Sequence, residues 1–208
     1  MALAPQRPAA RTCNGLGSPP TTWQPPCEAF ARVTDRSVAA DENQGPRVAL
    51  GSDHEGIGLK EKLIAHLREE RHSVKDCGGH NAEPGGAPAV TAAVAQALAA
   101  GEADVGIVVS GSGAVASMVA NKIPGVRACC CQDAVSARHA RRSAAADMLC
   151  LGARVLGDEL AADVARAFVD QAPSDRERHV SLRKRIDQLE DEFESAREEG
   201  RRSQPASD

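Results

Sequence analysis

Two short runs hold the residue types that could do chemistry on a charged, hydroxyl-bearing ligand. The first, Gly51-Ser52-Asp53-His54-Glu55-Gly56, sets an imidazole between two carboxylates. A carboxylate beside a titratable imidazole suits recognition of hydroxyls and phosphate. An Asp at a strand end can equally cap the helix that follows. The second run is Ser110-Gly111-Ser112-Gly113-Ala114-Val115. Its glycines let the backbone turn tightly and aim amide donors at an anion or a developing oxyanion. Taken alone, Gly-Ser-Gly is also ordinary turn punctuation.

The elements that must position these runs are short apolar stretches alternating with amphipathic ones, the pattern of βαβ units on a parallel sheet. Strands are expected at Val48-Ala49-Leu50, Ser73-Val74-Lys75, Val105 to Val109, Val126 to Cys131 and Met148 to Leu151. Helices are expected over Ile57 to Arg71, Ala89 to Ala100, Ala116 to Lys122, Ala134 to Ala145 and Glu159 to Gln171. In the first helix Leu59, Leu63, Ile64 and Leu67 share one face. The fold class is therefore α/β, a doubly wound, five-stranded parallel sheet in a Rossmann-like three-layer sandwich. In the 2-1-3-4-5 winding, the first and third strands flank the switch point where ligands bind beyond the strand ends. Both runs then face one crevice.

Three regions follow: a disordered extension over 1–46, a globular domain over 47–186 and a charged helical tail over 187–208. The first is rich in Pro, Ala, Arg, Ser and Thr, with Ser18-Pro19-Pro20 and Gln24-Pro25-Pro26 breaking any period. Its first 27 residues hold no Asp or Glu, which leaves an organelle transit peptide open beside a cytoplasmic protein. From Ser174 to Arg202, Leu182, Ile186, Leu189 and Phe193 make a narrow apolar stripe on a charged helix, suited to docking or covering a dimer.

Bulk composition excludes several classes. One Trp, three Phe and no Tyr leave little for base stacking, and a net charge of −4 supplies no field for a phosphate backbone, so nucleic acid is not expected. No apolar stretch is long enough to span a bilayer, and no membrane association is expected. Seven cysteines lack metal-finger spacing. Adjacent Cys129, Cys130 and Cys131 alternate faces on a strand and do not converge on an ion, so they read as buried free thiols.

Several of these segments together become specific. Val48-Ala49-Leu50-Gly51-Ser52-Asp53-His54-Glu55-Gly56 with Leu59-Lys60, Gly106-Ile107 before Ser110-Gly111-Ser112-Gly113, and Ala120-Asn121-Lys122-Ile123-Pro124-Gly125-Val126-Arg127-Ala128 resemble ribose-5-phosphate isomerase type B. Ser136-Ala137-Arg138, Leu151-Gly152, Arg154-Val155-Leu156-Gly157 and Arg178-His179 extend the resemblance. It implies aldose–ketose isomerisation of a sugar phosphate such as ribose 5-phosphate through an enediolate, without metal or organic cofactor. It further implies a homodimer with sites between subunits. Asp53 would hold sugar hydroxyls; His54, Arg154 and Arg178 would bind phosphate, with Arg183 close to the place of a second arginine. Gly111, Gly113, Ala114 and Val115 would offer backbone amides to the enediolate oxygen.

The chain departs from the family where protons move. One branch carries a Cys where Ser110 stands, another a Glu where Ala116 stands. Ser110 and Ser112 are the remaining catalytic candidates, and a serine hydroxyl needs a neighbouring activator such as His54. The family's ring-opening His and the Asn after it are here Ser143 and Ala144, with His139 one helical turn before. The family's Tyr-Pro-Asp-Tyr segment leaves only Pro88, between Ala87 and Ala89-Val90. Its second phosphate arginine is Leu182. Glu55 could stand in as base, although an acid in a helix's first turn is favourable for dipole reasons alone. Gly113 to Ala120 is similar to the A subunit of galactose-6-phosphate isomerase, which pairs with a second, catalytic subunit. Two readings result: an isomerase with a relaxed or unusual site, homodimeric or completed in a heterodimer, and a non-catalytic sugar-phosphate-binding or regulatory subunit.

Overall fold

The protein, a computed structural model, is described over residues 45–79 and 86–202. Residues 1–44 of the extension expected over 1–46, with the transit peptide left open there, lie outside the described residues, as does the end of the tail from 203. Five parallel strands, β1 (Val48–Ser52), β2 (Val74–Asp76), β3 (Val105–Ser110), β4 (Ala128–Cys130) and β5 (Met148–Gly152), form one sheet. The helices are α1 (Ile57–Glu69), α2 (Ala87–Ala99), α3 (Ala114–Ala120), α4 (Ala134–Ala144), α5 (Asp158–Val169) and α6 (Glu177–Arg202).

β1, β3 and β5 are buried along their whole length because helices cover both sheet faces. Side chains alternate between the two covers. Val48, Leu50, Ile107, Val109, Leu149 and Leu151 pack with Leu63 and Leu67 of α1 and Val164 and Phe168 of α5. On the other face Ala49, Val108, Met148 and Cys150 pack with Val94 and Leu98 of α2 and Ala116 and Ala120 of α3. The core is aliphatic, as the shortage of aromatic residues requires.

The strand order is β2-β1-β3-β5-β4, which corrects the expected 2-1-3-4-5 winding at its far end. The apolar β5 takes the inner position, fully buried, while β4 goes to the edge, with Cys130 exposed instead of buried as expected. A right-handed return from β4 to β5 places α4 beside α5 rather than beside α3. β4 is also shorter than expected. Arg127 N–H donates to the Asp147 carboxylate at 2.9 Å rather than to a neighbouring strand, so the ladder begins only at Ala128.

α6 runs unbroken through the boundary expected after residue 186. Asp187 pairs with Arg127 at 3.0 Å and Glu190 accepts Gly125 N–H at 2.9 Å. Ahead of the helix, Ser174 N–H donates to the carbonyl of Arg142, in the last turn of α4. α6 is thereby fastened to the sheet edge where strands begin. Much of its apolar stripe stays outside: Leu182 and Phe193 are 45% and 67% exposed.

Candidate active site

Three loops meet where β1, β3 and β5 end. Asp53 N–H donates to the carbonyl of Val109 at 3.0 Å, joining the first loop to β3. Ala153 and Arg154 donate their N–H groups to the carbonyls of Ser110 and Gly111 at 2.8 and 3.0 Å, joining the loop after β5 to the glycine run. The two runs singled out in the sequence do face one another, as the adjacency of β1 and β3 requires.

Asp53 is buried, and its Oδ1 accepts the N–H groups of Glu55 at 2.9 Å and Gly56 at 3.1 Å. These bonds close a turn ahead of α1, whose N-terminus has no side-chain cap, so Asp53 does not cap the helix as expected. Its Oδ2 takes no hydrogen bond among the described residues. His54 is half-buried, and its Nδ1 is buried without a hydrogen-bond partner.

In the glycine loop, Gly113 adopts φ +76°, and a Cβ there would lie 2.8 Å from Cys130 Sγ and 3.1 Å from the Cys150 carbonyl. Only glycine fits that turn. The two serines hold it closed: Ser110 Oγ accepts Gly113 N–H at 3.1 Å and Ser112 Oγ accepts Ala114 N–H at 3.4 Å. Two of the amides assigned to an anion are thus already engaged, while Val115 N–H has no partner among the described residues. No hydrogen bond joins His54 to Ser110, so the activator that Ser110 needs is not in place. Ala116 is fully buried in the α2/α3 core.

The feature underweighted in the sequence is Glu55. α1 starts at Ile57 behind Gly56, so Glu55 stands ahead of the helix and a first-turn dipole role does not apply. Its Oε2 lies against Gly111 so closely that a Cβ built on Gly111 would overlap it, and its Oε1 pairs with Arg154 and lies 3.9 Å from His54 Nε2. Its position next to His54 was a usable signal. Its direction was not, because Gly111 and Arg154 are distant in the chain.

Other expected residues do not converge here. Arg178 and Arg183 belong to the start of α6, against the last turn of α4, at the opposite end of the sheet. Arg178 Nε contacts His179 Nε2 at 3.2 Å and Arg183 donates to the Ser174 carbonyl at 2.9 Å. Burial, then Arg178, Arg142, Arg176 and Arg183, hold the His179 imidazole below its ordinary range, which marks a dense cationic patch. Ser143 is buried and donates to the carbonyl of the exposed His139, so neither faces the three loops. Among the described residues no cluster of three or more His, Cys, Asp or Glu is placed to hold a metal ion. No helix among them is long and apolar enough to cross a membrane.

The family model for Ribose/Galactose Isomerase matches residues 48–189. The ribose-5-phosphate isomerase B of Escherichia coli (strain K12) is 38% identical over 123 residues, 59% of this chain and 83% of that protein. Galactose-6-phosphate isomerase subunit LacB of Clostridium acetobutylicum is 30% identical over 142 residues, 68% of this chain and 82% of that one. The solved structure of Clostridium thermocellum ribose-5-phosphate isomerase B superposes with a TM-score of 0.67 at 35% identity, covering 71% of this chain and 99% of that chain. The chain therefore belongs to the ribose/galactose isomerase family.

Proposed function

We propose that the protein is an aldose–ketose isomerase of a sugar phosphate, with ribose 5-phosphate and ribulose 5-phosphate as the leading pair. The observation that carries this reading is the convergence of three loops beyond β1, β3 and β5. It sets Asp53, His54 and Arg154 around the turn in which Val115 N–H has no partner among the described residues. Asp53 Oδ2 suits sugar hydroxyls, the half-buried His54 imidazole suits phosphate, Arg154 is a 74% exposed guanidinium at the rim, and the loop amide faces the oxygen on which negative charge develops. The family match and its sugar-phosphate isomerases support the same reaction class.

The site is completed, in this reading, by a second copy of the chain. Val115, Met118, Val135 and Val155 are exposed apolar residues on the segments that follow β3, β4 and β5. The arginines of α6 stand at the far end of their own sheet and can serve phosphate only when a partner's α6 reaches this crevice. A cytoplasmic homodimer follows, needing no metal or organic cofactor.

Incubation with ribose 5-phosphate and measurement of ribulose 5-phosphate tests the reading; the expected outcome is turnover by the chain alone. One observation favours a second reading, a sugar-phosphate-binding subunit: Ser110 Oγ is held by Gly113 N–H with no base bonded to it. A thermal shift with ribose 5-phosphate but no turnover, or turnover only with an added catalytic subunit, would select it. Absence of both turnover and thermal shift across several sugar phosphates would remove both readings.

A further inference from the structure

We infer that Glu55 is the base that carries the proton between C1 and C2 of the substrate, in place of the cysteine or glutamate that this chain lacks. The inference rests on the isomerase reading above. A base must first be within reach of the reacting carbons, and only then be judged as a base. The glycine loop fixes where those carbons lie, because its amide must face the oxygen of the enediolate. Glu55 is the carboxylate that touches this loop: Oε2 packs on Gly111, immediately beside Ser110. Its other oxygen is paired with Arg154, and His54 Nε2 lies 3.9 Å away. One carboxylate therefore spans from the phosphate side of the crevice to the enediolate side.

The remaining candidates fail on geometry. Ser110 and Ser112 accept hydrogen bonds from the loop's own amides, and Asp53 has Oδ1 on the amides of Glu55 and Gly56, with Oδ2 left for the sugar hydroxyls. His139 is exposed on α4, and the Ser143 hydroxyl is turned to its own helix.

The step balances without a further reactant. With the sugar open, the Glu55 carboxylate takes the proton from C2. The electron pair of that C–H bond becomes the C1=C2 double bond, and the carbonyl pair moves to O1, where the loop amide stabilises it. The carboxyl proton then returns to C1, the O2 hydroxyl proton passes to O1, and C2=O forms. Arg154, taken over by the substrate phosphate, releases Oε1, so binding itself frees the carboxylate.

Because the Glu55–Arg154 pair includes a guanidinium that is 74% exposed, its loss costs little stability, and Glu55→Gln and Glu55→Ala should fold, as thermal melts would verify. Glu55→Gln is expected to lower kcat for ribose 5-phosphate by about 10²–10⁴-fold, with KM changed by less than about threefold. Added formate should restore part of the kcat of Glu55→Ala, a rescue that an orienting role would not give. A kcat of Glu55→Gln within about threefold of wild type, or a change confined to KM, overturns the assignment while leaving the isomerase standing. A wild-type chain silent on every sugar phosphate removes both.

Discussion

Glu55 and Asp147 are both carboxylates in non-obvious places, and they answer to different forces. Glu55 is solvated enough to take part in binding. Asp147 immediately precedes β5, is 4% exposed, and has one oxygen accepting Arg127 N–H while Oδ2 has no partner. Burial pushes its pKa up to about 6, against the pull of Arg127 and Arg141. A carboxyl whose folded pKa exceeds its unfolded one stabilises the fold when protonated, and this contribution disappears as pH rises through about 6. Wild type should therefore gain roughly 1 kcal/mol over Asp147→Asn between pH 7 and pH 5. Urea denaturation of both proteins at the two pH values measures it; an unchanged difference would contradict the assignment. The role of Asp147 was not legible from sequence; Glu55 was named there as a stand-in base, but its direction was not readable. Burial of Asp147 and the direction of Glu55 are set by Arg127, Gly111 and Arg154, none of them adjacent to the carboxylate it meets.

At the level of elements, the strands and helices were readable because β1, β3 and β5 are mostly apolar runs and α1 sets Leu59, Leu63, Ile64 and Leu67 on one face, although Lys60 is buried with them. The switch-point crevice was readable for the same reason. The positions of β4 and β5 were not, since both are short apolar runs and only their relative burial decides which takes the edge. The turn from β3 into α3 depends on one backbone conformation. Gly113→Ala would force a side chain into φ +76° and against Cys130 Sγ at 2.8 Å. A loss of about 1–3 kcal/mol in urea unfolding is expected, with a weaker thermal shift by ribose 5-phosphate. Full ligand response in that variant would show that the loop amides are not used.

Across the whole molecule, the candidate crevice and the cationic patch of α6 sit at opposite ends of one sheet. Arg178 and Arg183, carried over from the family resemblance, therefore do not gather with Asp53 and His54 in a single chain. Sequence identifies such residues but carries no sign of which subunit they serve. If two copies complete each other through the apolar residues near the crevice, Met118→Asp should weaken their association. Met118 is 66% exposed, so the monomer should keep its fold. Sedimentation should show a shift from dimer toward monomer, circular dichroism should be unchanged, and turnover of ribose 5-phosphate should fall at least tenfold. A fully active monomer would refute the shared site.

The order β2-β1-β3-β5-β4 also governs how the chain assembles as it leaves the ribosome. β1, β2 and β3 find their partners in the order they are made, so the half of the sheet that carries Asp53, Glu55 and the glycine loop can form early. β4 pairs with β5 alone and cannot dock until residues 148–152 have been synthesised and inserted beside β3. During that interval the run Ala128–Cys130 has no ladder to join, and its thiols face the solvent and other nascent chains. Synthesis of this protein therefore has one vulnerable window, and β5 closes it.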